Sequence, residues 1–297
     1  MKKLLAVSAA LLVLTTACSN EADNKNNQET SKAKTTETKK DQSNSQASEN
    51  AEDHKDTEQT SDKEQAEKVS QLSEEKKAAL VFSSSEASKY TLSKKEILTG
   101  IFEQNYHNEK EQKQLYKLFL IKADGYREVP ENMRFYTVYP PKGSYASIIG
   151  IGEDKAFVGG VQGATTYDEM LENGEELDLN ALYNENKHFK SLDELSQKIE
   201  FKNEHPMQDE ETRKELEGQE SAGTMAHARS QVYQQINDFE GKPINTEDYV
   251  WDNVKWNNGL DSWTVNYRDK DLEIVGTYKK EAEQGIVKLD SNGNRIK

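Results

Sequence analysis

The 297-residue chain holds one cysteine, Cys18, so no internal disulfide can form. Apolar residues are scarce as well: they make up 33% of the chain, or about 38% with the 16 glycines added. Globular domains carry roughly 45–50%, so part of this chain is expected not to fold. Basic residues number 39 against 54 acidic ones, a net charge of −15. Phosphate backbones and anionic headgroups repel such a chain unless a basic patch overrides the net field. No such patch is present, which argues against nucleic acid as a partner.

The usual chemical signatures are missing too. There is no Gly-x-Ser-x-Gly elbow, and the histidines at His54, His107, His188, His205 and His227 form neither HxH nor HExxH. Glu185 and His188 could share a helical face, but one pair is half a metal site. Glycines 150, 152, 159, 160 and 163 lack the Lys-Ser/Thr of a phosphate loop, and hairpin turns explain them. Asp290-Ser291-Asn292-Gly293-Asn294 opens like a calcium loop, yet the glycine comes too early and no Glu follows, so it reads as a turn. Neither a cofactor nor a metal is indicated, and no catalytic residue is assigned. With 54 acids, a pair of carboxylates could converge anywhere, so their abundance carries no specificity.

What is present begins at the N-terminus. Met1-Lys2-Lys3 precedes an apolar run over residues 4–14 broken by Ser8, followed by Thr15-Thr16-Ala17-Cys18. A positive start, a short apolar run and small residues before a cut form an export signal over residues 1–17, too short to span a bilayer as a mature helix. Leu14-Thr15-Thr16-Ala17-Cys18 resembles the lipobox of bacterial lipoproteins, with Thr16 and Ala17 at the small-residue positions and Thr15 where Leu is commonest. The resemblance implies processing by the lipoprotein enzymes, diacylation of Cys18 and attachment to the outer face of the cell membrane. Two acyl chains on one residue supply the anchoring that one cannot. Ser19 and the polar residues after it look like the Gram-positive type.

Residues 18–70 then form a tether. From Ser19 to Ser70 there is no aromatic, Leu, Ile, Gly or Pro, and 8 basic and 13 acidic side chains are spread among Asn, Gln, Ser and Thr. That composition cannot offset its own ordering entropy and is expected to be disordered. As a flexible coil of 52 residues it averages roughly 40 Å end to end.

The remainder reads as an α+β fold, small antiparallel sheets with packed helices, divided into a domain over 71–202, a polar linker or solvated helix over 203–223 and a helix-plus-strands unit over 224–297. Spacing predicts helices over 92–102, with Ile97, Leu98, Ile101 and Phe102 on one side, and over 111–120, with Leu115, Leu118 and Phe119. Period-two alternation predicts strands over 133–139 and 145–151, then a hairpin into 156–158. Helices follow near 166–173 and 191–198, the latter with a capping-box pattern at Ser191-Leu192-Asp193-Glu194. A helix over 224–239 carries Met225, Ala228, Val232, Ile236 and Phe239 in a stripe, and strands are expected at 248–256, 262–267, 272–278 and 285–289. This order, with Trp263-Thr264-Val265-Asn266-Tyr267 and the closing strand and turn, resembles exported PepSY and other cystatin-like modules over about 70 residues.

Tyr249, Trp251, Trp256, Trp263, Tyr267 and Tyr278 crowd into 30 residues. On strands, Tyr249 shares a face with Trp251, and Trp263 with Val265 and Tyr267, so at least one set builds the core. An exposed set would be a binding face, which makes Trp251, Trp256, Trp263 and Tyr267 the candidate ligand residues. The expectation is a membrane-anchored, extracytoplasmic lipoprotein that binds a cell-wall glycan or envelope protein without catalysis. A wall-directed hydrolase with a carboxylate site, or a PepSY-like regulator of an exported protease or folding factor, are the alternatives.

Overall fold

A computed structural model describes residues 69–107, 109–160, 163–257 and 261–297. The export signal, Cys18 and nearly all of the expected tether lie outside the described residues. Those described fall within one compact unit and form an α+β fold, as its sequence pattern predicts.

Three helices come first: α1 (Glu74–Ser83), α2 (Ala87–Tyr90) and α3 (Lys94–Thr99). Ser73 accepts the Lys76 amide and caps α1, while Ser93 and Glu96 form a reciprocal capping box on α3. Helix α3 stops short of the predicted 92–102. Gly100 adopts a left-handed φ of 75° at its C-cap, and Ile101 and Phe102 begin strand β1 (Ile101–Tyr106). The predicted helix over 111–120 is likewise replaced, by β2 (Glu109–Gln114) and β3 (Leu118–Ala123). Strand β2 pairs antiparallel with β1 as a two-stranded ribbon, an arrangement the helix-forming Glu, Lys and Gln side chains do not announce.

Strands β4 (Arg134–Tyr139), β5 (Ser147–Ile151) and β6 (Lys155–Gly160) follow the predicted alternation. After α4 (Tyr167–Leu171), capped by Thr166, come β7 (Gly174–Asp178), α5 (Leu179–Asn186), α6 (Lys190–Gln197) and β8 (Ile199–Lys202). The larger sheet runs β7-β6-β5-β4-β3-β8, antiparallel except for the β3–β8 pair. One face, with Leu118, Leu120, Val138, Ile149 and Val158, buries against α1 and its neighbours. The opposite face collects Phe135, Ile148 and Phe157 under Tyr167 and Met170. Gly150 lies across from Phe135 because an added Cβ there would meet the ring at 2.7 Å.

A short 3-10 turn (Pro206–Gln208) and α7 (Glu210–Glu217), which buries no side chain, lead into α8 (Ala222–Glu240). Ser221 caps α8 at its start and Gly241, φ 73°, at its end; of its predicted stripe Met225, Ala228, Val232 and Ile236 are buried and Phe239 is half-buried. The second sheet consists of β9 (Val250–Trp251), β10 (Lys255–Trp256), β11 (Trp263–Arg268), β12 (Ile274–Glu281) and β13 (Gly285–Asp290). Its inner face sets Trp263, Val265, Tyr267 and Tyr278 against Val232 and Ile236 of α8. The strand predicted over 248–256 is two strands, both on β11. Between them Asn253 leaves the sheet and donates its backbone N–H to the Thr99 carbonyl at 2.8 Å.

Candidate functional site

The break between β9 and β10 turns Asp252 toward Arg268, which is fully buried. Arg268 Nε and Nη2 donate to the two carboxylate oxygens of Asp252 at 2.6 and 2.8 Å. Its Nη1 and Nη2 donate to Glu194 of α6 at 2.8 and 2.7 Å, and Nη1 also donates to the Leu272 carbonyl. Burial pulls the Arg268 pKa down, but the hydrogen bonds to Glu194 and Asp252 outweigh it and hold the group above its ordinary value. Asn266 extends the arrangement, donating to Asp252 and accepting from Thr277. Lys198 stands on the next turn of the same segment. Its Nζ donates to the Ile97 and Leu98 carbonyls at the end of α3, and burial lowers its pKa against the pull of Glu194.

Beside this network opens a cleft of about 460 Å³, between the end of α3, the base of the β1–β2 ribbon, α6 and the edge of the second sheet. Its floor is Leu98, Leu115 and Val254, and its polar lining includes Thr99, Gln114, Asn253 and Thr264. Trp256 and Tyr116 supply aromatic surface. Trp256 Nε1 donates to Glu220 Oε1 at 2.9 Å, and the Glu220 backbone N–H donates to Gln114 Oε1 at 2.9 Å. Burial, with the carboxylates of Glu220 and Glu215 behind it, raises the Tyr116 phenol. Asn253 Oδ1 has no hydrogen-bond partner.

Of the four candidate aromatics, Trp256 lines this cleft. Trp263 lies wholly in the second core and Tyr267 is buried beside it. Trp251 stacks on Tyr278 at 5.9 Å and donates its Nε1 to the Asn245 carbonyl. Lys288 Nζ sits over the Tyr267 and Tyr278 rings, which makes that aromatic group an internal box already filled by a lysine. Of the residues that join Trp256, Gln114, Tyr116 and Glu194 come from segments far away in sequence while Asn253 precedes it by one short turn of chain, and no local pattern marks any of them.

Asp290 accepts from the backbone N–H groups of Asn292 and Asn294, which makes 290–294 a turn. Among the described residues no group of three or more His, Cys, Asp or Glu could hold a metal ion. No described helix is long and apolar enough to cross a membrane. The chain matches no protein-family model, no curated protein and no solved structure.

Proposed function

We propose that the chain is a lipoprotein of the Gram-positive type, anchored through diacylated Cys18 to the extracytoplasmic face of the cell membrane, whose α+β head binds an envelope component without transforming it. The observation that carries the anchoring is the position of the sole cysteine, at the end of Leu14-Thr15-Thr16-Ala17-Cys18 behind a charged start and an apolar run. Binding is favoured over hydrolysis by the state of the carboxylates in the cleft. Both Asp252 and Glu194 are engaged by Arg268, so neither is free to act as nucleophile or proton donor. A regulator of an exported protease or folding factor is the second reading, favoured by the single long helix α8 lying on an antiparallel sheet.

The test is to express the full chain and its Cys18→Ala variant in a Gram-positive host fed labelled fatty acid. The parent is expected to take up label and sediment with membranes. The variant should be unlabelled and either released to the medium or left unprocessed. An unlabelled parent, or a processed variant that stays on the membrane, removes the lipoprotein reading.

A further inference from the structure

The formal charges around the cleft sum to zero, with Glu194, Asp252 and Glu220 set against Arg268, Lys198 and Lys255. Glu194 and Asp252 are matched by Arg268 and Lys198, with the Lys198 Nζ 3.7 Å from Glu194 and turned onto two backbone carbonyls. Of the charged side chains lining the cleft only Lys255 makes no ion pair, and it is exposed to solvent, so an anionic ligand would gain a screened contact there while losing its own hydration, an unfavourable exchange. Apart from Lys255, what remains for recognition is uncharged: the indole of Trp256, the phenol of Tyr116, and the amides and hydroxyls of Gln114, Asn253, Thr99 and Thr264.

The indole is held before any ligand arrives. Its Nε1 is fixed by Glu220, and Trp256 is paired across the strands with fully buried Trp263. A ring positioned in advance costs little side-chain entropy on binding. Gln114 is committed through Oε1 to Glu220, and Thr99 Oγ1 to the Lys95 carbonyl. Asn253 differs. Its Oδ1 bonds nothing, so the amide can turn toward a ligand without giving up a hydrogen bond at that atom. A flat aromatic face, an amide whose oxygen has no partner, flanking hydroxyls and no net charge match a molecule with one apolar face and a rim of hydroxyls and amides. A volume of about 460 Å³ is within the range of small-ligand sites.

We propose that this cleft binds a neutral sugar unit of a glycan, with the sugar face on Trp256 and a hydroxyl or amide hydrogen-bonded to Asn253. The assignment rests on the reading of the head as a binding module, and not on the lipid at Cys18.

The experiment is calorimetric titration of the full chain bearing Cys18→Ser, which carries no lipid. The probes are tri-N-acetylchitotriose, its fully deacetylated cationic counterpart and a wall stem tetrapeptide. Saturable binding of the neutral trimer alone is expected, weakened about tenfold or more by Trp256→Ala and about threefold or more by Asn253→Ala. Trp256→Phe, which keeps a ring, should retain most of the affinity. If Trp256→Ala does not fold, the Asn253→Ala result decides. The proposal is overturned by no saturable signal at about 10 mM, by equal binding of the cationic trimer, by binding of the peptide instead, or by affinity indifferent to both alanine variants. Sedimentation of the same chain with cell-wall sacculi separates the two claims: sedimentation without trimer binding ends the sugar assignment and leaves the envelope reading in place.

Discussion

Arg268 and Glu194 stand 74 residues apart in sequence and meet through two hydrogen bonds of 2.8 and 2.7 Å. Because Arg268 also grips Asp252, one guanidinium ties the second sheet to helix α6. Removing it leaves Asp252 without its hydrogen-bonded cation and Glu194 with only Lys198, 3.7 Å away. Arg268→Ala is therefore expected to lower stability by roughly 3–5 kcal/mol in urea unfolding. Arg268→Lys should recover only part of that, since an ammonium cannot reproduce the fork. A loss below about 1 kcal/mol for the alanine variant would show that the network does not hold the layers together.

Helix α6 supplies a second test. Its N-cap, Phe189, makes no side-chain cap bond, and the backbone N–H groups of Lys190 and Ser191 donate instead to Glu273, at 3.0 and 2.8 Å. Burial alone would raise the Glu273 pKa, but hydrogen bonds from Ser191 and Lys190 hold it below its ordinary value. A depressed carboxyl contributes stability above its unfolded pKa and loses it as pH falls through the folded one. Glu273→Gln should cost about 1 kcal/mol at neutral pH, and the gap to the parent should close on acidification below about pH 4.

Glu169 provides a local probe of the same kind at the start of α4. Hydrogen bonds from the Thr165 and Thr166 amides, then from the Thr165 hydroxyl, push its pKa down to about 2. Its contribution should be full above the ordinary carboxyl range, decline as pH falls below that range and be gone once pH has fallen through about 2. Amide exchange at Thr165 and Thr166, followed against pH in the parent and in Glu169→Gln, checks this. A difference between parent and variant that is already gone at the ordinary carboxyl pKa would contradict it.

Gly276 pairs with Tyr267 across β11 and β12, beneath the phenol. A Cβ at 276 would come within 2.5 Å of the Tyr267 hydroxyl and 2.7 Å of the Leu289 carbonyl, and the carbonyl cannot swing aside. Gly276→Ala is expected to lower stability by about 1–3 kcal/mol in thermal melts. Gly223, in the first turn of α8, has nothing nearer than 3.9 Å. Gly223→Ala should be neutral or stabilising by up to about 1 kcal/mol.

The contrast between these sites shows what sequence could reveal. The stripe on α8, the alternation in β4 and β5 and the turn at 290–294 are local patterns, and each survives in the structure. Residues 109–114 are rich in Glu, Lys and Gln, good helix formers, but pairing with β1 overrides propensity there. At the end of α3, Gly100 cuts a helix whose apolar spacing continues into β1. The Ser191 capping-box pattern fails because the cap comes from Glu273, 82 residues later. Among the cleft residues only Trp256 was legible. Asn253 and the Arg268 network acquire meaning once the chain brings distant segments together.

The interrupted edge of the second sheet also governs how neighbouring molecules can meet. β11 is covered by two strands of two residues each, and the chain between them swerves away to bond Thr99. The far edge, β13, is met by Ile296 and Lys297, whose backbones pair with Lys288. At neither edge of this sheet does a second copy find a long straight row of free amide and carbonyl groups on which to lay a strand. The same detour that shapes the cleft keeps this sheet from continuing into that of a neighbouring copy.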